Sequence, residues 1–178
     1  MRIVNGLVFC EDGAFHPLEV ETQGDRIAAL EPSTAGEGET LDAHGGYVVP
    51  GFVDIHIHGA MGADFSDGDP AGFTAMGEFL LRQGVTSFLG TSMALPEERL
   101  SGAFSAARAY MEQPGQGGAA MRGIYMEGPF FSPEKRGAQN PEYIIPPDLA
   151  MFERLVAASG GGVRVVAVAP ELTGGLDF

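Results

Sequence analysis

The chain contains the stretch Pro50-Gly51-Phe52-Val53-Asp54-Ile55-His56-Ile57-His58-Gly59, a short apolar strand that ends in two histidines. Side chains of a strand alternate between its two faces, so Asp54, His56 and His58 share one face. Two strand steps span about 6.6 Å, which lets both imidazole rings converge on one cation. The stretch therefore predicts a strand that presents a pair of metal ligands.

From Gly51 onward, apolar strand patterns alternate with amphipathic helix patterns. Strands are predicted at 52–58, 85–91, 122–127 and 163–169. Helices are predicted to begin near residues 70, 96 and 147, each at a proline, and to end before glycine-containing stretches. Proline suits the first helical position because the N–H that it lacks has no partner there.

This order predicts parallel β/α units joined by right-handed crossovers. A complete (β/α)8 TIM-type barrel takes about 250 residues, whereas the sequence after Pro50 holds only four such strands before its end at residue 178. The predicted fold class is therefore α/β, a partial (β/α)8 barrel of about four units. A complete, open four-stranded α/β sheet is the alternative. The run 163–169 is nearly all apolar, which is typical of a parallel strand covered on both faces.

Residues 1–50 have a different pattern, with short strands between turns. The turn dipeptides are Asn5-Gly6 and Gly24-Asp25, and the strands around them are predicted at 2–4, 7–10, 18–21 and 26–30. Residues 34–40, rich in glycine and glutamate, are predicted to form an exposed loop. This all-β segment holds too little apolar material to stand alone. We therefore predict two domains, 1–50 and 51–178.

The composition limits the binding partners and the cellular compartment that we expect. A formal charge of −14 makes nucleic acid a poor partner, and a phosphorylated small molecule would need a local basic pocket. Cys10 is the single cysteine, so an intramolecular disulfide is impossible. The sequence shows neither a signal-peptide core nor the roughly 20 apolar residues that cross a bilayer. We expect a soluble protein of the reducing cytoplasm.

The histidine pair is the first candidate site. The carboxyl ends of barrel strands carry the active site, imidazole is a strong zinc ligand, and catalytic zinc sites keep one position for water. Two surface histidines, or one buried and one exposed, are the alternative. Asp54 lies one layer deeper on the same face. It is predicted either to orient a ligand ring or to be a buried structural carboxylate.

Glu127 is the second candidate, because a carboxylate between apolar residues at a strand end is costly to bury without a cation. A salt-bridged or exposed glutamate is the alternative. Glu171, at the analogous end of the fourth strand, is predicted to be structural or hydrogen-bonding, with metal ligation the alternative. His16 and His44 are predicted to lie on the surface. The segment 135–141 is either a substrate-contacting loop or a solvated one.

Five motifs follow one another along the chain. They are the stretch quoted above, Gly84-Val85-Thr86-Ser87-Phe88, Glu127-Gly128-Pro129-Phe130-Phe131, Gly137-Ala138-Gln139-Asn140-Pro141 and Ala169-Pro170-Glu171. Together they resemble the N-acetylglucosamine-6-phosphate deacetylases of the amidohydrolase superfamily. The first motif is shared across the superfamily. The third and fourth are narrower and separate this family from dihydroorotase-like and hydantoinase-like relatives.

The resemblance implies hydrolysis of the acetamide of N-acetylglucosamine 6-phosphate to glucosamine 6-phosphate and acetate, in amino-sugar catabolism. It implies a metal-dependent barrel with a β-sandwich formed from both chain ends, of which 1–50 is a portion, usually in a homodimer. His56, His58 and Glu127 match metal ligands, with zinc favoured over iron or manganese and one or two ions bound. Ala138 matches a substrate-binding position, and Gln139 beside it is a weaker candidate.

Members of this family are about twice as long, so the chain is expected to be an amino-terminal half. The aspartate that acts as general acid/base is expected beyond residue 178, as are two further histidine ligands, so no catalytic residue is assigned here. The isolated chain is predicted to be inactive, and oligomeric or poorly soluble. The alternatives are another amidohydrolase that acts on a cyclic amide, and a non-catalytic truncated remnant.

Overall fold

The structure, a computed structural model, describes residues 1–32, 38–113, 115 and 117–178. The chain divides into two compact units, Met1–Pro50 and Gly51–Phe178. The first unit contains one sheet with strand order β3-β2-β1-β4, and a further strand, β5, also pairs with β1. Its strands are β1 (Arg2–Phe9), β2 (Phe15–Gln23), β3 (Arg26–Glu31), β4 (Thr40–Asp42) and β5 (Tyr47–Val48).

Of the two turns predicted in the first unit, one is wrong and one is confirmed. The turn predicted at Asn5-Gly6 is wrong, because β1 runs through both residues and its register with β2 shifts there. Asn5 has a φ of 56°, a left-handed conformation that asparagine tolerates and that makes a bulge instead of a turn. Gly24-Asp25 is confirmed as the turn between β2 and β3. Of the predicted loop 34–40, Thr40 starts β4, and residues 34–37 lie outside the described residues.

The second unit is built on a parallel sheet with the order β11-β10-β9-β6. These strands are β6 (Phe52–Ile57), β9 (Val85–Thr91), β10 (Ala120–Glu127) and β11 (Val163–Ala167), with a small hairpin of β7 (Gly59–Ala60) and β8 (Ala63–Asp64). The helices are α1 (Pro70–Arg82), α2 (Glu97–Met111) and α3 (Leu149–Ala158). The predicted alternation of parallel strands and helices is confirmed.

Local capping sets where the helices begin and end. The side chain of Asp69 accepts hydrogen bonds from the N–H groups of Ala71 and Gly72, with Pro70 at the first helical position of α1. The helix predicted from Pro147 begins instead at Leu149, because the Asp148 side chain caps it through the Met151 N–H. In the described residues α2 ends at Met111, ahead of the predicted stop at 114–115.

The helices pack on one face of the sheet through a core of aromatic and methionine side chains. The buried face of α1 is the predicted one, Phe73, Met76, Gly77 and Leu80. Phe65 lies between this helix and β9, and its ring passes directly over Gly90. From the sheet itself the core takes Phe88, Met121, Ile124 and Met126. Because the core occupies this face of the sheet, the side chains of β6, β9 and β10 that alternate with the core residues lie on the other face.

Both outer strands of the parallel sheet, as far as the structure describes the chain, have an unpaired edge. On β6, the side chains of Phe52, Val53 and Ile55 are 61%, 66% and 58% exposed. The prediction that 163–169 is covered on both faces is wrong for this structure. Strand β11 is an edge strand and its residues are half-buried or exposed. None of the helices in the described parts of the chain has the length and apolar character needed to cross a membrane.

Candidate metal centre

Three side chains meet at the carboxyl end of the parallel strands. Nε2 of His58 lies 2.7 Å from Oε2 of Glu127, and Nε2 of His56 lies 3.2 Å from the same oxygen. One potential ligand atom from each of the three residues lies within 4.8 Å of the other two. The structure therefore brings together the two histidines and the glutamate that the sequence singles out.

The strand geometry explains this convergence. His56 is on β6 and His58 follows its end by one residue, so the period of two places both rings on one face. Glu127 is the last residue of β10, two strands away, with β9 between them. Strand axes two positions apart are separated by roughly 9.5 Å, a gap that facing imidazole and glutamate side chains can close. Parallel strands end at a common edge, which is why residues distant in sequence meet here.

The backbone of β9 orients one of the rings. Nδ1 of His58 lies 3.2 Å from the carbonyl oxygen of Thr91, the last residue of β9. A carbonyl can only accept, so this hydrogen bond places a proton on Nδ1. Nε2 of a neutral ring then carries a lone pair, and its 2.7 Å approach to the Glu127 carboxylate requires a proton or a metal ion shared by the two atoms. Sequence reasoning missed Thr91. Its position at the end of the strand between the two ligand-bearing strands is the signal that points to it.

The Asp54 carboxylate stabilises the ligand strand through its backbone. Oδ1 of Asp54 accepts a hydrogen bond of 2.9 Å from the backbone N–H of His56. Of the two alternatives for this residue, the contact is structural, since it holds the main chain of His56 and not its ring. The residue is half-buried, so the prediction of a buried carboxylate is wrong in that respect. The His56 ring instead packs edge-on against Tyr125, with ring centroids 4.5 Å apart.

The donor set fits a divalent metal ion. Two imidazole nitrogens and one carboxylate oxygen are the ligand types that zinc, iron and manganese accept in proteins. The side chains of His56, His58 and Glu127 are 42%, 33% and 23% exposed, so the group opens to solvent on one side. The carboxylate also balances part of the charge of a bound cation. Such an arrangement can hold an ion and leave room for water or substrate.

The two substrate candidates differ in environment. Ala138 is exposed. Gln139 is 6% exposed, and its Oε1 accepts a hydrogen bond of 2.7 Å from the backbone N–H of Ala94. Its side-chain nitrogen lies 3.9 Å from the sulfur of Met93. The amide of Gln139 is thus already used to join the segment that follows β9 to the loop that follows β10.

The remaining candidates lie away from the three-residue group. Glu171 is exposed and belongs to a turn after β11, and it is not a member of the cluster formed by His56, His58 and Glu127. His16 and His44 lie on the surface of the first unit, as predicted, beside Asp12 and Asp42. The hydrogen bond from His16 holds the pKa of the Asp12 carboxyl below its usual value. These contacts are local surface interactions.

A family match covers most of the chain, including every residue of the candidate centre. Residues 47–176 match the model of the amidohydrolase family. The chain belongs to the amidohydrolase family. Among characterised relatives of this amidohydrolase, an N-acetylglucosamine-6-phosphate deacetylase of Bacillus subtilis is 34% identical over 171 residues. An N-acetylgalactosamine-6-phosphate deacetylase of Escherichia coli O157:H7 is 34% identical over 167 residues.

Solved structures of deacetylases are also similar to this chain. The N-acetyl-D-glucosamine-6-phosphate deacetylase of Mycobacterium smegmatis superposes with a TM-score of 0.83 at 30% identity, covering 99% of this chain and 49% of that one. The N-acetylglucosamine-6-phosphate deacetylase of Pasteurella multocida superposes with a TM-score of 0.87 at 25% identity, covering 96% of this chain and 45% of that one. The two curated relatives are covered over 41% and 43% of their length, with 95% and 94% of this chain matched. This amidohydrolase chain spans less than half the length of each.

Proposed function

We propose that this chain supplies the amino-terminal, metal-binding half of a deacetylase that acts on N-acetylglucosamine 6-phosphate. The reaction hydrolyses the acetamide to give glucosamine 6-phosphate and acetate. The observation that carries the proposal is the convergence of His56, His58 and Glu127 at the carboxyl end of the sheet. The deacetylase names of the similar proteins support the choice of substrate class.

The domain roles are part of the same proposal. Residues 51–178 form the first half of a (β/α)8 barrel, supported by four parallel strands that, in the described residues, leave an open edge on each side. Residues 1–50 form a portion of a β-sandwich, supported by the five-stranded sheet of the first unit. The exposed apolar side chains on β6 are the surface that further barrel strands and helices would cover. A whole protein of this design is proposed to be a cytoplasmic homodimer.

His56, His58 and Glu127 would hold one or two divalent ions, with zinc favoured and iron or manganese the alternatives. When bound there, such an ion supplies Lewis-acid chemistry, which activates water as a nucleophile and polarises the amide carbonyl. Thr91 keeps the His58 ring in the tautomer that ligation needs. No residue of this chain is assigned as the proton relay, so we expect the 178-residue chain alone to be inactive.

Substrate contact is assigned to the loop that follows β10. Ala138 is the residue proposed to touch the sugar, supported by its exposure in this loop. Gln139 is proposed to support substrate binding chiefly by holding this loop in place, since its side chain already bonds to the backbone of Ala94. A relative that acts on the galactosamine epimer is as similar as one that acts on the glucosamine form, so both sugars belong in the assay.

The experiment is an acetate-release assay on the complete reading frame that encodes this chain. Acetate should appear from N-acetylglucosamine 6-phosphate, and the double variant His58→Ala/Glu127→Gln should lose that release while a His44→Ala variant keeps it. D-Hydantoinase from Bacillus sp. AR9 shares the fold, with a TM-score of 0.51 at 22% identity. Turnover of a hydantoin without acetate release would therefore overturn the proposal in favour of a cyclic-amide hydrolase.

A further inference from the structure

A cavity of about 340 Å³ lies at the opposite end of the parallel sheet from the candidate metal centre. Its lining comes from the end of α2, the first residues of β10 and the loop that leads into β11. Arg122, near the start of β10, is roughly 16 Å along the strand from Glu127 at its end. The cavity is therefore separate from the site described above.

The charge of this cavity is opposite to that of the chain. Three arginines line it, Arg108, Arg122 and Arg164, whereas the whole sequence has 10 Lys and Arg against 24 Asp and Glu. One carboxylate also lines the cavity, Glu112, and it pairs with Arg108 at 2.9 Å. Within the described parts of the chain, Arg122 and Arg164 form no ion pair. Both side chains are exposed, so in the described residues their two guanidinium groups face solvent at the cavity without a counter-charge.

The backbone around the cavity is shaped to fit the arginine side chains. A Cβ atom on Gly160 would lie 2.8 Å from Cδ of Arg108, and one on Gly123 would collide with Cγ of Arg164. Glycine at these two positions lets each arginine stem lie directly across the main chain. Nε of Arg164 also donates a hydrogen bond of 3.5 Å to the carbonyl oxygen of Arg122. These contacts keep two of the three arginines close to the rim of the cavity.

The loop that lines one side of the cavity is held by hydrogen bonds. Ser159 is 2% exposed, and its hydroxyl donates to the carbonyl of Val156 at 2.7 Å and accepts from the N–H of Gly162 at 2.9 Å. The loop is therefore fixed before any ligand arrives. A preformed site loses less conformational entropy on binding than a mobile one.

We propose that this cavity binds the phosphate group of a small phosphorylated molecule. Guanidinium groups pair with phosphate oxygens through two parallel hydrogen bonds, which makes arginine well suited to this anion. The volume is at the lower end of the roughly 300–1,000 Å³ of small-molecule sites, and the net charge of −14 opposes nucleic acid. The proposal does not depend on the catalytic function of the metal centre.

The test is a calorimetric titration, at low ionic strength, of the protein expressed from the complete reading frame that encodes this chain. The two probes are inorganic phosphate and glycerol 3-phosphate. Saturable binding of at least one is expected. The double variant Arg122→Gln/Arg164→Gln should bind at least about tenfold more weakly. Single Arg→Lys variants at these positions keep the positive charge but lose the planar guanidinium group. They should show a smaller loss of affinity.

Two controls make the outcome specific. The double variant Arg82→Gln/Arg99→Gln removes the same charge at exposed positions outside the cavity and should bind as the parent does. An Arg26→Gln variant, which removes one exposed charge from the first unit, should also bind as the parent does. The proposal is overturned if neither probe saturates, or if the Arg122/Arg164 variant binds as well as the parent. An equal loss in the Arg82/Arg99 control would overturn it too.

Discussion

Nε2 of His58 and Oε2 of Glu127 lie 2.7 Å apart even though the strands that carry them, β6 and β10, are separated by β9. The contact joins the two strands over the end of β9, whose last residue, Thr91, holds the other nitrogen of the same ring at 3.2 Å. One imidazole therefore connects three neighbouring strands at the edge where barrel enzymes place their chemistry. The predictions below test this centre and the packing that supports it.

Removing His58 should weaken metal binding by the chain. Zinc or cobalt should bind the parent through His56, His58 and Glu127, and His58→Ala should lower the affinity by more than the roughly 10- to 100-fold that outer-shell partners contribute. Equilibrium dialysis followed by elemental analysis measures the bound ion. The matched control is His44→Ala, an exposed histidine of the first unit. Equal metal content in both variants would contradict the assignment.

Replacing Gln139 should destabilise the loop that follows β10. Gln139→Met keeps the length of the side chain and removes the oxygen that accepts from the Ala94 N–H, leaving a buried donor without its partner. The expected cost is about 1–3 kcal/mol of unfolding free energy. Urea denaturation measures it, with Lys135→Gln in the same loop as an exposed control. An unchanged midpoint for Gln139→Met would show that the hydrogen bond contributes nothing to stability.

The same substitution at two glycines should have opposite effects. Gly90→Ala places a methyl group against the ring of Phe65, and overpacking of this kind costs about 1–3 kcal/mol. Gly102, on the exposed side of α2, has nothing within 4 Å of the added Cβ, so Gly102→Ala should stabilise by up to about 1 kcal/mol through helix propensity. Thermal denaturation of both variants checks the signs. Destabilisation by both would mean that α2 is packed differently.

The ion pair between α2 and α3 should contribute a small, pH-dependent stability. Arg154 bonds both carboxylate oxygens of Glu97, at 2.6 and 3.0 Å, and this hydrogen bonding lowers the pKa of Glu97 below its ordinary value of 4.5. A carboxyl whose pKa is lower in the folded state stabilises above its unfolded pKa. The contribution is lost as pH falls from 4.5 through the lower folded value.

Glu97→Gln should therefore lower Tm slightly at pH 7, by at most a few degrees, because the pair is exposed. The difference from the parent should shrink when the same melts are run below pH 4.5. Glu98→Gln, an exposed neighbour that forms no ion pair in the described part of the chain, serves as the control. A difference that stayed constant with pH would assign the effect to something other than ionisation of Glu97.

Local signals are strong enough to predict much of the fold from the sequence. The predicted strand 85–91 has the observed bounds of β9, and the apolar spacing of α1 identifies its buried face. The turn predicted at Asn5-Gly6 failed because a turn and a bulge use the same left-handed conformation. Which one forms depends on the partner strand, β2, and a dipeptide carries no information about that partner.

The candidate centre, like the fold, could be predicted from the sequence only in part. The shared face of His56 and His58 comes from the period of a strand, and the meeting with Glu127 comes from the common edge of parallel strands. The contact between His58 and the Thr91 carbonyl could not be predicted, because it depends on the register of two neighbouring backbones. The burial of Gln139 between its exposed neighbours Ala138 and Asn140 likewise depends on how two segments distant in sequence pack together.

The period-two arrangement of β6 also limits how this protein can diverge. A single residue inserted or deleted between Phe52 and Ile55 would shift the pleat by one step, so that His56 would exchange faces with its aliphatic neighbours. Length changes in this strand would thus be purged by selection. Changes in length among homologous genes are expected to collect instead in segments outside the strand.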